Sequence, residues 1–306
     1  MTRKTQVILA VCVSALILAG AVWLAVRAAE APAPAPALPD REVVDMTGRT
    51  VRLPADPRRI LSLCTSASDT LVALGDAARL AAIDEYGLVV PGVEHAVVIG
   101  KGSAISREQV LALGIDLAFV WWYQDDAAAM LAGLGVPVVR VRTGRAAEVP
   151  AMIRLVGDCL NRRAAAEPLA HRVEEFLAQA ASHPAATRPR VYLELYGPFK
   201  TVGRDSYMND LLELAGAENI AGTTSGTVLL SSERLIQADP DAILFAEGFA
   251  DAGSIAGRPG LAGLKAVREG RVLPVDRKWL VAGPGLPEAV NRMREMLAGV
   301  PLNERR

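Results

Sequence analysis

A pattern of polar and apolar positions occurs twice in the chain at a constant offset, so that Ser106 corresponds to Ser231 and Glu108 to Glu233. The copies read SREQVLALGIDLAF and SSERLIQADPDAIL. In each copy the Ser is a predicted helix cap, and the Glu lies in the first helical turn, where the helix dipole favours negative charge. A short run that is apolar on both faces follows, as in a parallel strand covered by helices. The pattern predicts two similar helix-then-strand units, one in each of two related lobes.

Strand and helix patterns alternate in residues 41–147, which we predict to form the N-terminal lobe. A hairpin turning at Thr47-Gly48 opens this lobe, and a helix capped by Ser66 or Ser68 ends at Gly75. The predicted helix after the repeat covers 125–134, and the buried strands are 60–63, 80–83, 117–121 and 138–141.

A helical segment without strand signals follows at 148–187, broken at 161–163, and we predict it to be a connector. Residues 188–306 return to the alternation and form the predicted C-terminal lobe. Its predicted strands are 191–195, 242–245 and 272–275, and its predicted helices include 206–215 and 286–298. The fold class is therefore α/β, with two similar three-layer lobes joined by a long helical connector and a ligand cleft between the lobes.

An apolar segment precedes the lobes. Arg3 and Lys4 come before a nearly uninterrupted apolar run at 7–26, which is long enough to span a bilayer. Residues 1–28 are therefore a signal peptide or an uncleaved membrane anchor, and an Ala/Pro-rich linker follows at 29–40. Lipidation at Cys12 is less favoured, because the residue before it is not small. We expect an exported protein, periplasmic or on the outer face of the cytoplasmic membrane, where 7–26 anchors it if this segment is not removed.

The net charge, the scattered histidines and the missing catalytic motifs each argue against one class of function. The net charge of −1 gives no general attraction to nucleic acid. The three His are scattered, which argues against a transition-metal site, and Cys64 and Cys159 are expected to be buried free thiols. GxSxG, P-loop and GxGxxG motifs are absent from the part after the apolar segment, so we predict no catalytic residues. The acidic pairs 84–85 and 125–126 are interpreted as solvated loops; a buried acid and base pair in the cleft would revive the enzyme hypothesis.

Aromatic and cationic residues follow the predicted strands, where an open α/β sheet binds its ligand. The aromatic candidates are Tyr86, Trp121, Trp122, Tyr123, Phe199 and Trp279. The cationic candidates for an anionic group are Arg204, Arg277 and Lys278. Such a set predicts a large, flat and partly polar ligand.

The chain resembles the helical-backbone (class III) substrate-binding proteins of metal-chelate ABC importers, which bind ferric siderophores, haem or cobalamin. The motifs that carry the resemblance are DMTGRTVRLPADPRRILSL, SREQVLALGIDLAF, GVPVVRV, NDLLELAGAENIAG, SSERLIQADPDAIL and RVLPVD. The resemblance implies that Glu108 and Glu233 dock onto arginines of a membrane permease made of two like subunits. It also implies a monomer that takes a metal chelate as cargo and holds no cofactor of its own.

The aromatic pattern looks closest to the cobalamin-binding member of that family, through Tyr86, Trp121, Phe199 and Trp279. It departs from that member where Lys101-Gly102 and Val228 or Leu229 replace aromatic residues. A cobalt corrinoid and a ferric siderophore therefore remain close alternatives, followed by haem with Tyr86 as the iron ligand. From another class, an anchored sensor that reports the ligand to a partner stays an alternative.

Overall fold

The computed structural model describes residues 41–182 and 188–300. The segments predicted as signal peptide or anchor and as linker lie outside the described residues, as do the last part of the predicted connector and the last six residues of the predicted C-terminal lobe. Within the described ranges, no helix is both long enough and apolar enough to cross a membrane. The proposed boundaries between lobes and connector stay predictions.

The N-terminal lobe is built on a five-stranded parallel sheet with the strand order β5-β4-β3-β8-β9. A hairpin of β1 and β2 precedes it, and a short antiparallel pair, β6 and β7, leads into the first repeat helix. The strands are β1 Arg41–Val44, β2 Thr50–Leu53, β3 Ile60–Ser62, β4 Leu80–Ile83, β5 Val97–Val98, β6 Gly100–Lys101, β7 Ala104–Ile105, β8 Leu117–Trp121 and β9 Val138–Val141. The helices are α1 Thr65–Ala73, α2 Arg107–Ala112 and α3 Asp125–Gly133.

The C-terminal lobe is built on a four-stranded parallel sheet with the order β12-β10-β14-β15, beside an antiparallel pair of β11 and β13. Its strands are β10 Arg190–Glu194, β11 Lys200–Val202, β12 Glu218–Asn219, β13 Thr227–Leu229, β14 Ala242–Ala246 and β15 Val272–Val275. Its helices are α6 Tyr207–Leu214, α7 Ser232–Ala238, α8 Ala252–Ala256, α9 Lys265–Arg268 and α10 Leu286–Leu297. The lobes thus share the parallel α/β arrangement that the repeat predicted.

Two helices link the lobes, α4 Val149–Cys159 and α5 Arg163–Ser182. The chain reverses between them at Asn161, which has a left-handed backbone (φ 59°). One cluster of buried apolar side chains runs from the N-terminal sheet through α4 and α5 into the C-terminal lobe, with Phe119, Met152 and Leu244 among its members. A core that continues through the connector favours small rocking of the lobes over a wide hinge motion.

The repeat helices begin as the sequence predicted. The Ser106 hydroxyl accepts from the Gln109 N–H at the start of α2, and the Ser231 hydroxyl accepts from the Arg234 N–H at the start of α7. These caps satisfy N–H groups that have no partner within the helix. The same reasoning was wrong for α1, whose N-cap is Cys64, without a capping side chain.

The two serines proposed as caps of α1 are instead buried inside that helix. The Ser68 hydroxyl donates to the Ser62 hydroxyl at 2.9 Å, and the Ser66 hydroxyl bonds with the Thr143 hydroxyl at 3.0 Å. These hydroxyls therefore join α1 to neighbouring segments of the lobe. The thiols of Cys64 and Cys159 are free and buried, as expected. Burial raises the pKa of Cys64 to about 12, so the thiol stays neutral and unreactive.

Candidate functional site

A cavity of about 650 Å³ lies between the two lobes at the carboxyl ends of their strands. Its N-terminal wall follows β4 and β8, and its C-terminal wall follows β10, β14 and β15. The aromatic residues that line it are Tyr86, Trp121, Trp122, Tyr123, Tyr196, Tyr207 and Phe249. Within the described part of the chain, Arg277 is the single Lys or Arg of this lining. The cavity suits a ligand with large apolar faces and few charged groups.

The N-terminal wall is a compact aromatic cluster at the end of β8. The Trp121 and Tyr123 rings are nearly parallel, at 6° and 6.3 Å between centroids. The Trp122 ring meets the Tyr123 ring edge to face at 4.9 Å. Buried Gln124 fixes the turn, because its side-chain oxygen accepts from the Trp121 N–H at 2.9 Å. This hydrogen bond between Gln124 and Trp121 therefore helps to position the rings of three consecutive residues.

Asp84 holds the second loop of this wall, which carries Tyr86. One carboxylate oxygen accepts from the Gly87 N–H at 3.0 Å, and the other accepts from the Gly102 N–H at 2.9 Å. Burial raises the pKa of Asp84 to about 6. The expectation of a solvated acidic pair was therefore wrong for Asp84, whereas Glu85 is exposed and pairs with Lys101. Both oxygens of Asp84 bind backbone N–H groups, which indicates a structural role.

The C-terminal wall is assembled from separated segments. The Tyr196 ring lies 5.8 Å from the Phe249 ring at an angle of 66°. The Arg277 guanidinium lies 4.7 Å from the centroid of the same Phe249 ring, a cation–π arrangement. Tyr207 is buried and donates to the Val281 carbonyl at 3.1 Å. Phe249 thus anchors both the aromatic and the cationic part of this wall.

A buried ion pair supports the turn that carries Tyr196. Arg258 binds Glu194 through two N–H to O contacts of 2.5 and 2.7 Å. The Glu194 carboxylate also accepts from the Phe199 N–H at 2.9 Å and from the Tyr192 hydroxyl at 3.0 Å. Tyr196 and Phe199 both have a left-handed backbone, with φ of 63° and 61°. Such a backbone is costly for residues other than Gly, so we infer that the Glu194 contacts hold the turn in this form.

Five of the nine residues proposed from the sequence as ligand contacts line the cavity, namely Tyr86, Trp121, Trp122, Tyr123 and Arg277. The other four contact protein groups elsewhere. Phe199 packs against the Arg258 guanidinium, Arg204 donates to the Thr223 carbonyl, Lys278 pairs with Asp276, and Trp279 packs partly buried beneath Lys278. Whether any of these nine residues binds a ligand stays a prediction.

The sequence reasoning missed most of the C-terminal wall. Tyr196 and Phe249 follow the ends of β10 and β14, so the rule that identified Trp121 applies to them equally. Tyr207 and Met208 lie at the start of α6, where no aromatic pattern distinguishes a lining residue from a core residue. Their place in the cavity depends on how the two lobes face each other.

The two repeated glutamates lie outside the cavity lining, on the exposed sides of α2 and α7. Local hydrogen bonds, including those with Ser106 and Ser231, lower the pKa of Glu108 and Glu233 below the ordinary value. Both carboxylates are therefore charged at neutral pH. In the described ranges, no cluster of three or more His, Cys, Asp or Glu has the arrangement of a metal site.

Comparisons with known proteins agree with this architecture. A cobalamin-binding protein of Halobacterium salinarum is 29% identical over 211 residues, which span 65% of this chain and 57% of that protein. An ABC transporter substrate-binding lipoprotein of Bacillus subtilis is 26% identical over 268 residues, which span 83% of this chain and 84% of that protein. These relatives are named as binding proteins and not as enzymes.

A solved periplasmic heme binding protein from Pseudomonas aeruginosa is 27% identical, with a TM-score of 0.69. The match covers 81% of this chain and 94% of that structure. The family model described as periplasmic binding protein matches residues 60–278, which include both parallel sheets and the repeat. This chain therefore belongs to the periplasmic binding protein family.

Proposed function

We propose that this protein is the substrate-binding component of an ABC importer, which captures a metal chelate and delivers it to the membrane permease. The observation that carries the proposal is the cavity between the lobes, with seven aromatic side chains and one guanidinium in its lining. Aromatic faces bind flat, weakly charged ring systems well. The substrate-binding name of the Bacillus subtilis relative supports the transport role.

Among metal chelates, we propose a cobalt corrinoid as the first candidate. A ferric siderophore is commonly anionic and calls for several cations, whereas Arg204 and Lys278 lie outside the cavity lining and only Arg277 remains there. The rings of Trp121 and Tyr123 instead present extended apolar surface. The name of the Halobacterium salinarum relative points to the same class.

Haem is the second candidate, because three phenols at the cavity are exposed: those of Tyr86, Tyr123 and Tyr196. The Pseudomonas aeruginosa structure is named as a heme binding protein. However, desolvation raises the pKa of Tyr123 to about 12, and it raises the pKa of Tyr196 as well. Iron would have to displace a proton that these phenols hold more tightly than a free phenol does.

Delivery to the permease rests on the paired glutamates. Glu108 and Glu233 are charged, exposed and equivalent in the repeat, which suits contact with two like permease subunits. We propose an exported monomer that acts in the periplasm or at the outer face of the cytoplasmic membrane, where residues 7–26 anchor it if they are not removed. An anchored sensor is the alternative from another class.

Titration of the tryptophan fluorescence tests the ligand. Trp121 and Trp122 lie in the cavity and Trp279 lies outside it, so a bound chromophore should quench the emission of the first two. Cyanocobalamin, cobinamide, hemin, a ferric hydroxamate and a ferric catecholate are compared, with Trp122→Phe and Trp279→Phe as a matched pair. We expect cyanocobalamin or cobinamide to bind with a Kd below about 1 μM, which corresponds to about −8 kcal/mol. If none of the five binds at that level, the chelate function is wrong.

The double variant Glu108→Arg with Glu233→Arg separates transport from sensing. We expect it to abolish uptake of the chelate while its affinity for the chelate stays unchanged. Normal uptake by this variant would contradict the docking role of the two glutamates.

A further inference from the structure

Each repeat helix carries an exposed aliphatic side chain at the same position. Leu111 on α2 is 60% exposed and Ile236 on α7 is 41% exposed. The residues directly before them, Val110 and Leu235, are buried, with exposed fractions of 1% and 0%. The two helices therefore repeat the same order of buried and exposed positions, including an exposed position that is apolar in both copies.

These aliphatic side chains lie beside the repeated carboxylates. Leu111 follows Glu108 by three residues, and Ile236 follows Glu233 by the same spacing. Residues three apart are neighbours on one face of a helix. Each lobe thus presents a carboxylate and an aliphatic side chain together, and we name these four residues the repeat face.

Helix stability explains only part of this arrangement. The carboxylates interact favourably with the helix dipole. Among the described residues, neither Glu108 nor Glu233 has a cation within salt-bridge distance, and their side-chain hydrogen bonds are local. An exposed aliphatic side chain adds little to the stability of a short helix. A partner that binds the repeat face would bury the aliphatic group and supply a cation for the carboxylate.

We propose that the repeat face is a two-point docking surface, in which Leu111 and Ile236 are apolar anchors beside Glu108 and Glu233. The inference rests on the proposed function, and its occupant is a permease that presents the same site on two like subunits. Each site on the permease would combine a guanidinium with an apolar pocket one helical turn away. The glutamates then set orientation and association rate, and the aliphatic anchors slow dissociation.

The residues around this common part differ between the lobes. Arg107 precedes Glu108, whereas Arg234 follows Glu233. The flanking cations therefore do not correspond in the repeat, while the carboxylate and the aliphatic side chain do. A partner with two like sites can recognise only the features that the two lobes share, which favours the repeat face as the common element.

The test measures binding of the full-length protein to the permease of the source organism's chelate importer, reconstituted in nanodiscs. The variants are Leu111→Ser, Ile236→Ser and the double variant. Val44→Ser is the matched control, because Val44 is 62% exposed and lies on β1, outside the repeat face. We expect each single variant to raise the Kd about threefold to tenfold, and the double variant at least about tenfold. Leu111→Met with Ile236→Met should restore binding, and fluorescence titration with cyanocobalamin should be unchanged throughout.

The outcomes separate this inference from the proposed function. If the Ser variants bind the permease like the unchanged protein while Glu108→Arg with Glu233→Arg does not, the docking role stands and the aliphatic anchors are wrong. If the glutamate variants also bind normally, the docking part of the proposed function is wrong as well. Sedimentation of the free protein tests the other occupant: a dimer that the double Ser variant dissociates would identify a second copy of this chain and overturn the proposal.

Discussion

The two walls of the cavity are built differently, although the lobes that carry them share the same repeated helix and strand. Trp121, Trp122 and Tyr123 are consecutive residues at the end of β8, and Tyr86 joins them from the loop after β4. The facing wall takes Tyr196, Phe249 and Arg277 from three separate segments. The repeat thus preserves the scaffold of the lobes and the positions outside the cavity, whereas the ligand-facing loops differ. Similar lobes need not contribute similar contacts to a ligand.

The supports of the two walls differ as well. In the N-terminal wall, Gln124 holds the aromatic cluster through neutral hydrogen bonds to the backbone of Trp121, and Asp84 holds the Tyr86 loop through backbone N–H groups. The C-terminal wall depends on Glu194, which is 1% exposed and is neutralised by Arg258. A buried ion pair is costly to break, because removal of one partner leaves the other charge without compensation. The free energy of unfolding should therefore fall more when the support of the C-terminal wall is removed than when that of the N-terminal wall is removed.

Arg258→Ala should have the largest effect. It leaves the Glu194 carboxylate buried without its cation, and we expect the free energy of unfolding to fall by about 3–5 kcal/mol. Urea denaturation followed by circular dichroism measures the change. Arg163→Ala is the control, because Arg163 pairs with Asp158 at the surface, and it should change the free energy of unfolding much less. Equal effects of the two variants would show that the Arg258–Glu194 pair contributes no more than a surface pair, which would contradict the dependence of the C-terminal wall on this ion pair.

A carboxylate at the contact between the lobes should make the stability of the protein depend on pH. Asp69 on α1 accepts from the Gly285 N–H just before α10, and desolvation followed by the nearby Glu288 carboxylate raises its pKa to about 6. The pKa of Asp69 is higher in the folded protein than in the unfolded chain. The contribution of Asp69 to stability is therefore fully present below the unfolded pKa near 4, and it is lost as the pH rises through about 6. The ionised Asp69 should therefore destabilise the folded protein at neutral pH.

Asp69→Asn removes this titration while its amide oxygen still accepts from the Gly285 N–H. We expect the variant to be more stable than the unchanged protein by about 2 kcal/mol at pH 7.5 and about equally stable below pH 4. Thermal and urea unfolding across this range measure the difference. Asp84 titrates near the same pH in both proteins, so its contribution cancels. A difference that does not change with pH would show that Asp69 does not titrate in this way.

The sequence predicted the scaffold well, and five of its nine proposed ligand contacts lie in the cavity lining. The bounds of β8, β9 and β15 agree with the predicted strands because each is a short apolar run closed by turn residues. The strands β11 and β13 were missed, since they are short and lack apolar alternation. Ser66 and Ser68 were misassigned because a buried hydroxyl and a capping hydroxyl look alike in sequence.

The sequence also could not show which aromatic side chains line the cavity and which pack inside a lobe. Tyr196 and Phe199 lie in one turn, and both have a left-handed backbone. Tyr196 reaches the cavity, whereas Phe199 packs against Arg258 in the lobe. The position of Phe199 after a predicted strand and the resemblance to the cobalamin-binding member favoured it as the ligand contact. The contacts of Glu194 with Arg258 and the Phe199 N–H come from positions far apart in the chain, and they determine the turn.

The two walls should also contribute unequally to ligand binding. Tyr123→Ala removes an exposed ring that stacks parallel to Trp121, and we expect the Kd for cyanocobalamin to rise about tenfold to thirtyfold, or about 1.5–2 kcal/mol. Phe249→Ala should raise it only about threefold to tenfold, because one edge of Phe249 faces Tyr196 and one face is covered by Arg277. Isothermal titration measures both. A larger effect of Phe249→Ala would assign the principal contact to the C-terminal wall.

The smallest expected effect is the difference in stability between a Gly and an Ala variant at the same position. It is the most specific, because its sign should differ between the two walls. Tyr196 has a φ of 63°, whereas Tyr123 is not among the left-handed residues. At position 196, Ala keeps the unfavourable backbone and Gly relieves it, so Tyr196→Gly should be more stable than Tyr196→Ala by about 0.5–1 kcal/mol. At position 123, Gly only adds entropy to the unfolded chain, so Tyr123→Gly should be less stable than Tyr123→Ala by a similar amount, about 0.5–1 kcal/mol. Both members of each pair lack the ring, so the lost aromatic contacts cancel, and urea unfolding reports the backbone alone. If Gly were less stable than Ala at both positions, the turn after β10 would carry no backbone strain. The contacts of Glu194 would then not be needed to keep Tyr196 in a left-handed backbone.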